Sequence, residues 1–434
     1  MNAIAGIPYV EAEFDNNGNI KNQVALPPGV TDLIVMSHGW NNDAAAARTL
    51  YQAFFQSFVA VAQPNDLPGR KFAIVGVIWP SKKFDEMIAA SGSPGGAQGS
   101  ASLSAGDAES RKQLEAKIER MKEMFTEPAQ RKALDGAKAL IPDLEDKASA
   151  RRDFVDKIRS LLDKSAANRE DASDTFFKDD GNELMKNLKI AEEDLDDEIT
   201  DQGGSASMPL GVGSTKAPEG GAAGFGTWLS GFAASALNVL NYGTYFEMKA
   251  RAGNVGKNGV AKLIDKLAPQ VQRIHLIGHS FGGRVVTATA ANSTTDKIKS
   301  MSLLQTAFSH NGFSKTMNGF FRGVVDQHRV KGPILVTYTK NDKAVGMAYP
   351  LASRINGDKT AAFGDENDVF GGLGRNGAQQ MQAGEVVAGN LLPATGSYTF
   401  GAGKFFNLEG SPYISGHGDV AGKEIAHAVR IAMA

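Results

Sequence analysis

The chain has 434 residues, of which 42% are hydrophobic and 22% are charged. This composition is sufficient for a buried core and excludes disorder along the whole length of the chain. Lysine and arginine number 46 against 48 aspartates and glutamates, and the resulting net charge of -2 argues against nonspecific nucleic-acid binding. Because cysteine is absent, disulfides, thiolate zinc sites, iron–sulfur clusters and a cysteine nucleophile are excluded.

The first elements in chain order indicate a β hairpin followed by an α/β core. Residues 7–14 and 20–26, separated by a turn sequence, predict the hairpin. The apolar runs 33–36 and 72–79 predict buried strands on either side of a helix over 44–61. Continuous apolar runs separated by helices are typical of strands that are buried on both faces of a parallel sheet.

A long charged section interrupts this pattern after residue 80. Gly/Ser-rich stretches at 91–106 and 203–226 flank it, and its apolar residues recur at helical spacing. We therefore predict an α/β core from residues 1–80 and 224–434, with 81–223 inserted as a helical cap or interaction segment. The charges are interpreted as solvated helix faces, and a surface for a protein partner is the alternative.

The strand–helix alternation then resumes to the end of the chain. The predicted elements are a helix over 242–267, a strand over 274–277, a helix over 282–291, strands over 298–304, 333–339 and 404–408, and a helix over 420–432. No signal peptide or membrane span is visible, so a cytoplasmic location is the default expectation. Export without a signal is the alternative, and the Gly-, Ser- and Asn-containing segment 224–245 could lie against lipid.

The most informative segment, residues 274–283, reads I-H-L-I-G-H-S-F-G-G, in which a buried strand leads through G-x-S-x-G into a helix. This context is typical of a nucleophile elbow and makes Ser280 the candidate nucleophile. Side chains at Gly278 and Gly282 would collide with neighbouring backbone in such a strained turn. The first N–H groups of the helix would point toward the charge that develops during attack.

On these residues the chain resembles the α/β-hydrolase family, and within it the serine esterases and lipases, over the core on both sides of the insertion. The resemblance implies an oxyanion hole formed by the backbone N–H groups of Phe281 and Trp40. Trp40 lies in the loop S-H-G-W-N-N, which is similar to the family's His-Gly loops. A packing role for Trp40 is the alternative. The family order along the chain is serine, acid, histidine.

This order and the local context select the base and the acid. His417 lies in the loop S-G-H-G-D between the last strand and the last helix, the position of the family's catalytic histidine. His427, the other candidate, lies inside the helix. Asp342 directly follows the strand over 333–339 and is the first candidate for the acid, with a helix-capping role as the alternative. Asp365 and Asp368 are the reserve candidates.

We therefore expect a serine hydrolase that cleaves acyl esters through Ser280, His417 and Asp342, with an acyl-enzyme intermediate and no cofactor or metal. Residues 372–377 match G-x-G-x-x-G, but no strand precedes them, so a dinucleotide is not expected. Two alternatives are a binding or scaffold protein that keeps the hydrolase fold and a lipase effector exported without a signal.

The expected substrate is an acyl ester or a lipid-like molecule with an apolar acyl part, and peripheral contact with lipid is possible. Two aromatic groups bear on this expectation. The first either lines the acyl site or belongs to the core, and comprises Phe308, Phe313, Phe320 and Phe321. The second is predicted to form an apolar wall near the entrance beneath the cap, and comprises Phe225, Trp228, Leu229 and Phe232.

Overall fold

The computed structural model describes residues 2–63, 66–81, 103–188, 231–342 and 370–434, with the backbone alone for 103–110 and 166. Within these ranges nine strands form one sheet. The strands are β1 (Asn2–Ile4), β2 (Ile7–Glu13), β3 (Asp32–Ser37), β4 (Phe72–Ile78), β5 (Arg273–His279), β6 (Ile298–Leu304), β7 (Ile334–Tyr338), β8 (Val386–Asn390) and β9 (Phe405–Glu409).

The sheet order is β1-β2-β4-β3-β5-β6-β7-β9-β8, and every neighbouring pair is parallel except β1 with β2. Helices of the described residues flank it. They are α1 (Ala44–Ala60), α2 (Leu103–Met124), α3 (Pro128–Leu140), α4 (Ala148–Arg159), α5 (Ser173–Lys178), α6 (Gly181–Asn187), α7 (Gly231–Asn254), α8 (Ala261–Leu267), α9 (Phe281–Asn292), α10 (Arg322–Asp326), α11 (Leu373–Asn376) and α12 (Lys423–Ala432).

Both faces of the sheet are covered, so the protein is an α/β protein with a mostly parallel mixed sheet. Alternate residues of β3 point to opposite faces, as the pleat of a strand requires. Leu33 and Val35 join an apolar cluster with α7 and α9, whereas Ile34 and Met36 join a second cluster with α1 and α12. The completely buried residues of β3 explain why its sequence is a continuous apolar run.

Helix α7 connects the inserted helices to the sheet. It packs against α2, α4 and α6 on one side and against α9 on the other. The ring of Tyr242 lies 4.7 Å from that of Phe176, and the Glu145 carboxylate accepts the N–H groups of Phe232 (2.8 Å) and Ala233 (3.1 Å) at the start of the helix. A single apolar cluster therefore runs from the sheet through α7 into the inserted helices.

Several predicted elements differ from those in the structure. The predicted hairpin over 7–14 and 20–26 is wrong, because β2 pairs with β1 and β4, and the second run forms no strand and has a single bridge, between Phe14 and Ile20. Instead, the Asn22 side chain forms hydrogen bonds with the backbone of β2. Its Oδ1 accepts the N–H of Glu13 and its Nδ2 donates to the carbonyl of Glu11, both at 2.8 Å. A side chain that satisfies these groups leaves no ladder for a second strand.

Two further differences concern α7 and β8. Helix α7 begins at Gly231, eleven residues before the predicted start, and a π-helical turn (Val255–Val260) joins it to α8. Strand β8 was not predicted. Across the ranges that the structure describes, no helix has both the length and the apolar character needed to cross a bilayer.

Candidate active site

The carboxyl ends of four parallel strands carry the predicted site residues. Trp40 follows β3, Ser280 follows β5, Asp342 follows β7 and His417 follows β9. The carboxyl ends of parallel strands meet at one edge of a sheet, where α/β proteins bind their ligands. The loops after these strands can therefore meet, although 137 residues separate Ser280 from His417 along the chain.

Ser280 lies in a strained turn between β5 and α9. Its backbone has φ 55° and ψ -127°, a conformation that costs a residue with a side chain roughly 1–3 kcal/mol. A Cβ at Gly278 would collide with the carbonyl of Gly282, and one at Gly282 would lie 2.6 Å from the carbonyl oxygen of His38. The prediction that side chains at these two glycines would collide with backbone is confirmed.

Ser280, His417 and Asp342 form a continuous hydrogen-bonded chain. His417 Nδ1 lies 2.8 Å from Asp342 Oδ2, and His417 Nε2 lies 2.9 Å from Ser280 Oγ. An ionised carboxylate only accepts, so Nδ1–H donates to Asp342 and Nε2 is left to accept the serine O–H. The Asp342 side chain is completely buried and that of His417 is 9% exposed. This is the arrangement in which a histidine can take a proton from a serine.

The loop after β3 approaches Ser280 closely at Gly39. A Cβ on Gly39 would collide with the Cβ of Ser280 and would lie 3.0 Å from its Oγ. Trp40 comes next, and its ring lies 5.9 Å from that of Phe281, the first residue of α9. Among the described residues, neither the Trp40 nor the Phe281 backbone N–H has a hydrogen-bond acceptor. Two N–H donors thus remain available beside the serine.

Buried hydrogen bonds hold this loop in place. The His38 ring stacks on Trp79 at 5.5 Å, and the Trp79 indole N–H donates to the His38 carbonyl at 3.0 Å. The Ser81 hydroxyl bonds to the Gly39 carbonyl at 3.0 Å. Burial lowers the pKa of His38 to about 4, so the imidazole is neutral at neutral pH. His38 is therefore a structural residue of this turn.

Aromatic side chains surround the serine on the α7 side. The ring of Tyr245 lies 5.4 Å from Phe281, which extends the contact between Phe281 and Trp40. The indole N–H of Trp40 is buried without a partner in the described part of the chain. Trp40 therefore packs through its side chain while its backbone N–H stays available, so the two predicted roles do not exclude one another.

The residues of the two predicted aromatic groups have different surroundings in the structure. Phe308, Phe313 and Phe321 are buried against one another and belong to the core, whereas Phe320 is 49% exposed. Phe232 is buried, with the Arg151 guanidinium of α4 3.9 Å from its ring centre, so it packs against the insertion. Five candidates fall outside the described residues, namely Phe225, Trp228 and Leu229 of the predicted wall and the two reserve acids, Asp365 and Asp368.

The remaining histidines near the sheet edge separate into distinct roles. His427 donates from Nε2 to the carbonyl of Gly396 at 2.6 Å and is not part of the hydrogen-bonded series of Ser280, His417 and Asp342. His279 contacts the carbonyl of His417 at 2.9 Å. His279 is not among the site residues that the sequence predicts. Its position next to Ser280 was the one available signal that it belongs to the site.

Within the ranges that the structure describes, no three or more histidine, aspartate and glutamate side chains come close enough to hold a metal ion. No protein-family model, curated protein or solved structure matches this chain.

Proposed function

We propose that the protein is a serine hydrolase of carboxylic esters, related in fold to the α/β hydrolases. The observation that carries this proposal is the continuous hydrogen-bonded chain from Ser280 through His417 to Asp342, with the serine in a strained strand-to-helix turn. The order of the three residues along the chain is the order of that family. A scaffold protein would not need a buried carboxylate aligned on a histidine that in turn contacts a serine.

The proposed reaction has two half-reactions. Ser280 Oγ attacks the acyl carbon while its proton passes to His417 Nε2, and Asp342 stabilises the imidazolium through Nδ1. The backbone N–H groups of Trp40 and Phe281 donate to the oxyanion of the tetrahedral intermediate. Its collapse gives the acyl-enzyme, and the leaving alcohol takes the proton from His417. Water, activated by the same histidine, then releases the acid and restores the serine.

The surroundings of the serine favour an apolar acyl group. Trp40, Phe281 and Tyr245 form an aromatic series beside it, and each of these side chains is less than a tenth exposed. An acyl chain placed against this series would remove its own apolar surface from water, which is the favourable term in binding hydrocarbon. An acyl ester or a lipid-like ester is therefore the proposed substrate class, and peripheral contact with lipid belongs to the same proposal.

A fluorophosphonate probe tests the proposal directly, because it phosphonylates only serines that a neighbouring base activates. We expect labelling of the intact protein on Ser280, and loss of labelling in Ser280→Ala and His417→Ala. Both variants should lower ester turnover by roughly 10⁴ to 10⁶, since triad members act as a unit. Ser302→Ala is a matched control, because Ser302 is also buried but lies within β6. An unlabelled protein without esterase activity would favour the scaffold alternative.

The acid is tested by Asp342→Asn, which keeps the shape of the side chain and removes its charge. We expect turnover to fall by up to about 10⁴, because an amide no longer selects the Nδ1–H form of His417 or stabilises the imidazolium. Asp365→Asn and Asp368→Asn are the comparison variants and should retain activity. A large loss at either of these positions, with Asp342→Asn fully active, would move the acid to that position.

A further inference from the structure

His279, the residue before the candidate nucleophile, makes a hydrogen bond to the loop that carries the candidate base. Its Nε2 lies 2.9 Å from the carbonyl oxygen of His417, and the two ring centres are 5.0 Å apart. His279 is the last residue of β5 and is 4% exposed. The bond therefore links the end of the strand that bears Ser280 to the backbone of the residue that contacts Ser280.

The partners of His279 determine its protonation state. A backbone carbonyl can only accept, so Nε2 must carry the hydrogen. Nδ1 is buried and has no partner in the described part of the chain, so nothing there stabilises a second proton. Burial lowers the pKa of His279 to about 3, with the nearby His417 ring acting in the same direction. His279 is thus a neutral imidazole that donates from Nε2.

The loop around His417 has few internal constraints at the histidine itself. Gly416 and Gly418 flank it, and a Cβ at either glycine would meet no atom within 4 Å. Such glycines permit many backbone conformations, and the restraints on them are backbone hydrogen bonds, from the Asp419 N–H to the Gly416 carbonyl (3.2 Å) and from the Val420 N–H to the Gly418 carbonyl (3.0 Å). The Asp419 carboxylate accepts the N–H of Ser415 at 3.0 Å, which closes the base of the loop. Among the described residues, His279 makes the only hydrogen bond to the backbone of His417.

We propose that His279 is a positioning residue, whose Nε2–H holds the backbone carbonyl of His417 so that the His417 ring stays within reach of both Ser280 and Asp342. This rests on the proposed ester hydrolysis. Asp342 holds the ring from Nδ1, and His279 holds the backbone of the same residue. With both ends restrained, the distance from Nε2 to Ser280 Oγ is set before substrate binds, which is what a proton transfer in the transition state requires.

Two amide replacements of His279 distinguish the effect of its Nε2–H donor from the effect of the imidazole ring. In His279→Gln the side-chain nitrogen comes near the place of Nε2 and can still donate to His417, whereas in His279→Asn it comes near Nδ1 and falls short. We expect His279→Asn to lower kcat for a short soluble ester by about 10- to 100-fold with little change in KM, and His279→Gln to stay within about threefold of wild type. Rates of fluorophosphonate labelling should follow kcat.

His427 provides a matched control for these variants. It is another buried imidazole that donates from Nε2 to a backbone carbonyl and has no partner at Nδ1, but it lies on α12. His427→Gln and His427→Asn should therefore leave kcat unchanged. Equal losses of kcat in His279→Gln and His279→Asn, or full activity in both, would overturn the proposal. A wild-type protein that is not labelled at Ser280 would instead refute the proposed hydrolase function.

A measurement on the wild-type protein keeps the proposal testable if a variant does not fold. Spectra of protein labelled with ¹⁵N at histidine should show His279 as the neutral Nε2–H form, with signals that stay constant between about pH 5 and 8. His279→Gln identifies the signals. An Nδ1–H form would show that Nε2 does not donate to His417, and the positioning role would be wrong even if ester hydrolysis is confirmed.

Discussion

Gly39 determines how closely the loop after β3 approaches the candidate nucleophile. In Gly39→Ala the new methyl group would overlap the Cβ of Ser280 and lie 3.0 Å from Oγ, so the loop must move away. We expect turnover to fall by roughly 10², because displacements of about 1 Å in an active site have effects of that size. Initial rates on a short soluble ester, with melting temperature as a check on folding, provide the measurement.

Gly401→Ala is the control for this variant. Gly401 is exposed, its φ is not in the left-handed region, and the nearest atom to a new Cβ is Lys404 Cδ at 3.8 Å. Its activity should equal that of wild type. Wild-type turnover in Gly39→Ala would show that the loop can shift without disturbing the serine, and that Gly39 does not set the geometry of the site.

The sequence predicted three side chains that the structure brings together. G-x-S-x-G between a buried strand and a helix pointed to Ser280, and the residue order implied by the family resemblance, with the local context, pointed to His417 and Asp342; the three lie within hydrogen-bonding distance. The contact of His279 could not be predicted in this way. Its partner is a backbone carbonyl 138 residues away. Every residue has a backbone carbonyl, so no sequence pattern indicates which one a side chain will contact.

A buried ion pair joins the insertion to α7. Lys249 of α7 donates to Asp171, the two side chains are 4% and 5% exposed, and the Tyr242 hydroxyl donates to the Asp171 carbonyl at 2.7 Å. Burial lowers the pKa of Lys249. We expect Asp171→Ala to lower the free energy of unfolding by about 3–5 kcal/mol, because it leaves a buried ammonium without its partner. Urea denaturation measures this loss.

Two further variants test the cause of that loss. Asp174→Ala removes a carboxylate near Lys178 and Arg169, whose side chains are 74% and 93% exposed, and should cost about 0–1 kcal/mol. The double variant Asp171→Leu with Lys249→Met removes both charges and should regain most of the lost stability. A double variant as unstable as Asp171→Ala would mean that packing, rather than the unpaired charge, causes the effect.

The elements that the sequence predicted correctly are those with a clear burial pattern. Strands β3 and β4 are buried on both faces and read as continuous apolar runs. Strand β8 lies at the sheet edge with four of its five residues exposed, so its sequence carries no such run. Helix α7 is buried nearly all round, with 18 of its 24 residues buried. A helix of this kind has no amphipathic period, which explains the missed start.

The buried neutral histidines predict that the protein loses stability in acid. Burial lowers the pKa of His38 to about 4 and that of His279 to about 3, against about 6.5 in an unfolded chain. As pH falls below about 6.5 the unfolded chain binds these protons and the folded protein does not. Each such histidine should lower the free energy of unfolding by up to about 1.4 kcal/mol per pH unit.

Urea denaturation at several pH values between about 7 and 5 measures this slope. His279→Gln removes one of the buried groups and should reduce the slope by up to about 1.4 kcal/mol per pH unit. His328→Gln removes an exposed histidine and should leave it unchanged. A slope in His279→Gln equal to that of wild type would mean that the His279 imidazole becomes protonated in the folded state at mildly acidic pH.

The sequence also predicts that the insertion folds as a unit of its own and controls access to the site. The structure identifies the surface that a deletion of residues 91–220 would expose. Tyr242 and Phe246 of α7 would lose the rings of Phe176 and Phe177. Lys249 would lose its buried ion pair. A deletion variant joined by a short linker should therefore also carry polar residues at the two aromatic positions.

We expect that repaired variant to fold, with a helix and strand signal in circular dichroism and cooperative unfolding. It should hydrolyse short soluble esters, because Ser280, His417 and Asp342 all follow strands of the remaining sheet. Its preference among acyl chain lengths should differ from that of the intact protein, since a cap restricts which substrates reach the serine. A repaired variant that stays unfolded would contradict the separate unit. A folded variant with unchanged acyl preference would contradict the cap, and the insertion would then be better explained as a surface for a protein partner.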